Sequence, residues 1–205
     1  DGLDRYAKIQ LFFISENGVP KQPEESYCNP GNLEQQSWTD KTGVTANPKL
    51  IKARAKKFKE SLVSTLNRMI TQGTGLKFSP LLEALQITAL SMESPQAING
   101  EGGDEKNKII LVSDLRENTE YFSVYKKQIS NPFSIKRFRK SPALDKFRFD
   151  GEDIEIDILF INQNDGFKYE EITNFWEQVL TEDLGLTVNR WVRLAGEMGW
   201  QQEKK

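Results

Sequence analysis

Four apolar residues in a row, Ile109, Ile110, Leu111 and Val112, stand between Lys108 and the pair Ser113 and Asp114. A run this short is too brief for a helix. Its β-branched, unbroken character is that of a strand covered on both faces, as in a parallel sheet. Residues 154–161 read as a second such strand, residues 186–194 as a third, and the aromatic and β-branched stretch 6–15 as the first in chain order. Between them lie segments of helical period. Strands alternating with helices require crossover connections, so the expected class is α/β: a three-layer, doubly wound, mostly parallel sheet with helices on both faces.

The helical segments carry their own signals. Ile51, Ala55, Phe58, Leu62, Leu66 and Met69 recur at spacings of three and four and form one stripe, while Lys49, Lys52, Lys56, Lys57 and Lys59 occupy the other side. Asn47 before Pro48 marks its start and Gly73 its stop. Ser79 and Pro80 open a second helix with Leu81, Leu82, Leu85, Ala89 and Met92 inward, ending near Ser94 and Pro95. A third, over 169–181, places Ile172, Phe175, Trp176, Val179 and Leu180 on one side and stops at Gly185. Phe58, Leu62, Leu85, Phe175 and Trp176 are the expected buried side chains. Residues 17–47 read as a loop-rich insertion with room for a small hairpin. Residues 118–149 hold a short helical stretch near 121–127, a break at Pro132 and a further helical turn from Ala143.

At 205 residues the chain fits one domain. No stretch approaches the roughly 20 consecutive apolar residues of a membrane span, so no membrane insertion is expected. The single cysteine, Cys28, cannot form an internal disulfide, which favours a reducing, cytoplasmic setting. The absence of histidine excludes Ser-His and Cys-His nucleophile pairs and His-ligated zinc. A net charge of −2 provides no global attraction to nucleic acid, so such a partner must be read from local clusters.

Open parallel sheets bind ligands outside the carboxyl ends of their strands. Asp114 stands at such an end, and Ser79 opens a helix that faces the same edge. A carboxylate and a hydroxyl are hard oxygen ligands suited to Mg2+ or Ca2+. Both residues also suit plain structural roles: Ser79 as the cap of a helix with Pro80 at its first position, and Asp114 as the turn before Arg116.

These same residues carry a family resemblance. The stretch KFSPLLEAL resembles the second metal loop and following helix of von Willebrand factor A domains, and KIILVSDLREN resembles their fourth strand with its terminal metal-linked Asp. Leu115 stands where that family usually has Gly. FWEQVL followed by GLTVNRWVRL is similar to the last helix and strand of bacterial von Willebrand factor A-like proteins, as is CNPG to a subgroup of them. The resemblance implies a protein-interaction module whose metal, held in part by Ser79 and Asp114, leaves a coordination position for an acidic side chain of a protein partner. The family's Asp-x-Ser-x-Ser motif does not occur in this sequence. Residues 6–15 match the family's second strand better than its first, and 1–5 the tail of its first helix. The resemblance therefore implies a further strand before Asp1, lying between 6–15 and 108–113.

A second constellation is basic. Lys126, Lys127, Lys136, Arg137, Arg139, Lys140, Lys146 and Arg148 are interleaved with Tyr125, Phe133, Phe138, Phe147 and Phe149. Cations among aromatics suit phosphate contacts and base stacking; the same pattern also describes a solvated surface with aromatics packing inward. Trp38 and Trp200 are candidates for a partner surface. Three functions are thus open. The leading one is a non-enzymatic, von Willebrand factor A-type interaction module with an unidentified protein partner. The others are a magnesium-dependent phosphoester hydrolase, which needs at least two carboxylates on the ion, and a nucleic-acid-binding accessory domain using the basic span.

Overall fold

The computed structural model describes residues 7–15, 18–31, 47–72, 78–92, 107–125, 131–162 and 166–194. The chain divides into two compact units, residues 1–76 and 77–205.

In the first unit, β1 (Lys8–Leu11) and β2 (Glu25–Cys28) pair antiparallel in a two-stranded sheet, from Lys8↔Cys28 to Leu11↔Glu25. The insertion thus contributes one strand, β2, which pairs with the strand that precedes the insertion; a hairpin lying wholly within 17–47 is not seen among the described residues. The first strand is not a member of a parallel sheet among the described residues, because its hydrogen-bonding partner is the strand that follows it at once. Helix α1 (Pro48–Gln72) has the expected bounds. Ile51 and Met69 are buried, Phe58 and Leu62 only half-buried, and Leu66 is 39% exposed. The buried line passes through Thr65 instead, since 51, 55, 58, 62, 65 and 69 follow the 3.6-residue period. The Thr65 hydroxyl is satisfied by Tyr27 OH at 2.8 Å, and Phe58 meets the Tyr27 ring edge-on.

The second unit is α/β around a three-stranded sheet in the order β3 (Asn107–Ser113), β4 (Ile154–Ile161), β5 (Thr187–Leu194). All pairing is parallel: β3 and β4 run in register from Asn107↔Ile154 to Ser113↔Phe160, while β4 and β5 shift once between Ile156 and Asp157. On one face of β4, Ile156, Ile158 and Phe160 are fully buried. Leu81, Leu82 and Leu85 of α2 (Leu81–Ser91) and Ile172, Phe175 and Trp176 of α5 (Tyr169–Gln178) are also buried. The other face of β3 departs from expectation: Ile110 is 53% and Val112 48% exposed, so the run is an alternating, half-covered strand.

Between β3 and β4, the residues described up to 125 form turns where a helix near 121–127 was expected. Two short helices follow, α3 (Ile135–Arg139) and α4 (Pro142–Phe147), the second beginning beside the expected Ala143. Phe122, Phe133, Phe138 and Phe175 gather into one aromatic cluster with centroids 5.3–5.8 Å apart. Helix α5 continues into a single π-helical turn, Val179–Asp183. It ends at Gly185, whose φ of 73° is the left-handed conformation that glycine adopts without steric cost. No helix among the described residues is long and apolar enough to cross a membrane.

Burial separates two leucine and phenylalanine positions that look alike in the sequence. Phe175→Ala should destabilise the protein by about 3–5 kcal/mol, whereas Leu66→Ala on the exposed side of α1 should stay within about 0.5 kcal/mol. Urea unfolding of both variants checks this; equal losses would contradict the packing described.

Candidate functional site

Strand β3 delivers its last residues to the carboxyl edge of the sheet, where the chain must leave the ladder abruptly. Ser113 Oγ accepts from Leu115 N–H at 3.0 Å and Asp114 Oδ1 from Arg116 N–H at 3.2 Å, so two successive side chains supply the acceptors that the ladder no longer offers. Between them Leu115 sits at φ 59°, and it is the non-glycine residue with positive φ among those described. A leucine there carries a steric penalty of roughly 1–2 kcal/mol. Its side chain is completely buried, and its carbonyl accepts from the Trp176 indole N–H at 2.9 Å. Helix α5 thereby locks the turn.

Arg116 and Glu117 follow, both buried. The Arg116 guanidinium lies over the rings of Phe167 and Phe133, at 4.6 and 5.5 Å from their centroids. Glu117 reaches the N-terminus of α2, where its Oε2 accepts from Leu82 N–H at 3.0 Å. Helix α2 has Pro80 at its cap position and no side-chain cap bond of its own. Glu117, 35 residues away in sequence, supplies that acceptor. Burial pushes the Glu117 carboxyl up to about 8, against the opposing pull of the Leu82 N–H, the Thr119 hydroxyl and the Leu81 N–H; nearby Glu83 adds a small repulsion. Its Oε1 is buried without a hydrogen-bond partner.

Ser79 does not cap α2. Its backbone forms an isolated antiparallel bridge with Asn118, Ser79 N–H donating at 3.2 Å and Asn118 N–H at 3.0 Å. The helix start is therefore fastened to the loop leaving β3 through Asn118. Asp114 makes the turn before Arg116. Among the described residues, no group of three or more Cys, Asp or Glu side chains is arranged to hold a metal ion.

The basic span divides. Arg139 is engaged by Glu182 at 2.8 Å and Asp183 at 2.9 Å. Arg137 lies over Phe122 at 4.2 Å and donates to Ser123 O at 3.1 Å and to Pro132 O. Lys136 and Lys140 are exposed. Of the interleaved aromatics, Phe133, Phe138 and Phe147 are buried, in keeping with inward packing rather than with a stacking platform. Lys126, Lys127, Trp38 and Trp200 lie outside the described residues.

The residues that sequence reasoning passed over are Leu115, Arg116, Glu117 and Trp176 in its role as a donor. Two adjacent charges directly after a strand-terminal Asp were the available signal, since that edge is where open α/β sheets place polar groups.

Two outcomes follow from this geometry. Because the folded protein holds a proton on Glu117 that the unfolded chain releases above its ordinary 4.5, the contribution to stability is full below pH 4.5. It falls as pH rises toward about 8 and levels off above that. The slope is at most about 1.4 kcal/mol per pH unit. Glu117→Gln keeps an acceptor for Leu82 N–H and cannot ionise, so urea unfolding between pH 5 and 8 should show a flatter profile; an unchanged slope would remove Glu117 as its source. At Leu115, Leu115→Ala loses burial and keeps the strain, whereas Leu115→Gly loses burial and relieves it. Thermal denaturation should therefore find the glycine variant about 1 kcal/mol more stable than the alanine variant, the reverse of the usual order.

No protein-family model matches this chain, and neither does any curated protein or solved structure.

Proposed function

We propose that this chain is a protein-interaction module of von Willebrand factor A type, doubly wound, whose working surface is the carboxyl edge of β3, β4 and β5. The observation that carries the reading is Leu115 at φ 59°. In the resembled family this position is usually Gly, the residue suited to such a backbone. A leucine held there against its preference, by Trp176 from one side and Ser113 from the other, makes a turn of fixed shape at the edge where sheets of this class bind ligands. The parallel order β3, β4, β5 is compatible with the same family. The half-covered face bearing Ile110 and Val112 supports a surface that engages other protein rather than one that only faces solvent.

Metal assistance is the finer version of this reading. Asp114 and Ser79 would supply a carboxylate and a hydroxyl to Mg2+ or Ca2+, with the partner's acidic side chain completing the shell.

A photo-crosslinking amino acid placed at Asn162 or Lys168, beyond the ends of β4 and at the start of α5, should capture a partner protein from cells. The same probe at Glu152 or Asp153, at the amino edge, should not. Equal capture from both edges, or capture from the amino edge alone, refutes the proposal. Calorimetric titration with Ca2+ and Mg2+ decides the metal version: heat that Asp114→Ala abolishes and Ser79→Ala merely reduces supports it, and absence of heat leaves the metal-free module.

A further inference from the structure

The groove beside α3 and α4 has a volume of about 620 Å³ and is lined in part by Tyr121, Ser134, Lys136, Arg137, Lys140 and Ser141. Three cations and one acid, Glu120, border it. A run of basic residues is ordinarily a solvated face whose side chains diverge. Here the fold sorts them. Arg139 is turned to Glu182 and Asp183, while Lys136, Arg137 and Lys140 converge on one concavity. Arg137 is immobilised there by two carbonyls and the face of Phe122. Burial lowers its pKa, which disfavours the charged form, and its Nε is buried without a hydrogen-bond partner. An anion would favour the charged form, and the hydroxyls of Ser134 and Ser141 add neutral hydrogen-bonding capacity beside it.

We propose that this groove binds the phosphate monoester of a phosphorylated serine or threonine side chain on a partner protein. A monoester dianion matches the convergent charge better than a polymer of diesters does. The groove itself offers little aromatic face for the stacking a nucleic acid would need: of its lining aromatics Phe122 is buried and Tyr121 has the Lys146 ammonium over its ring at 3.8 Å, while the exposed Tyr125 is not among the lining residues. The choice of a protein as the phosphate's carrier rests on the interaction-module reading; the phosphate site itself does not.

The test is calorimetric titration of the full chain with a short Gly-Ala peptide carrying one phosphoserine, its unphosphorylated twin, and a ten-residue oligouridine. The phosphopeptide should bind and its twin should not. Lys136→Gln combined with Lys140→Gln alters two exposed side chains and so spares the fold, and it should weaken the phosphopeptide by about tenfold or more, as expected from losing charge-assisted contacts. No binding of the phosphopeptide, binding that the double variant leaves unchanged, or tighter binding of the oligouridine would each overturn the proposal. Phosphopeptide binding with no capture at the carboxyl edge would leave this site standing and remove the edge reading, so the two failures are distinguishable.

Discussion

A single hydrogen bond, from the Trp176 indole to the carbonyl of Leu115, joins a fully buried side chain of α5 to the non-glycine residue that holds a positive φ among those described. Its importance lies in what each end holds. Trp176 sits in the core against Phe175, which in turn stacks on Phe122 with centroids 5.7 Å apart. Leu115 turns the chain out of β3 with a backbone that leucine does not choose freely. The burial of the leucine side chain, worth a few kcal/mol, exceeds the conformational cost, and the indole removes the alternative in which the carbonyl swings away. The shape of the carboxyl edge is thus a consequence of core packing.

That edge also concentrates buried polar groups. Glu117 is drawn to the N-terminus of α2, and Arg116 is laid on two aromatic rings. Asp157, buried in the central strand, meets Arg190 at 3.0 Å and Lys108 at 3.8 Å on the opposite side of the sheet. Buried groups of this kind stabilise little by themselves, because desolvation offsets much of the attraction. Their effect is on uniqueness: each finds its partners in one arrangement of strand, loop and helix, with Glu117 Oε1 and Asp157 Oδ1 left without a hydrogen bond even there. The chain from β3 through Asn118 to Ser79 is accordingly fixed at several points, by the Leu115 turn, the Glu117 cap and the two-way backbone bridge.

Periodicity, with the end signals at Asn47, Pro48 and Gly73, determined a good deal. It located α1 to the residue, placed β3, β4 and β5, and found α2 and α5 with Leu85, Phe175 and Trp176 on their inner sides, because these patterns are local and each repeats over several residues. It also left the bland roles in view, and Asp114 as the turn before Arg116 is one of them. What the sequence could not determine is anything that depends on which segments meet. Whether β3 is covered on one face or two rests on its neighbours, and an apolar run reads alike in both cases. The first strand pairs antiparallel with β2, a choice of partner that no local pattern encodes. The helical period puts Thr65 in the buried line, but that its hydroxyl is satisfied there depends on Tyr27, which the fold brings alongside. Glu117 caps a helix that begins 35 residues earlier, and the basic span divides into ion pair, anchor and groove only once acids distant in sequence come alongside Arg139. Local composition set the elements; the long-range partners of buried and charged groups, which only the tertiary structure brings together, decided what each of those residues does.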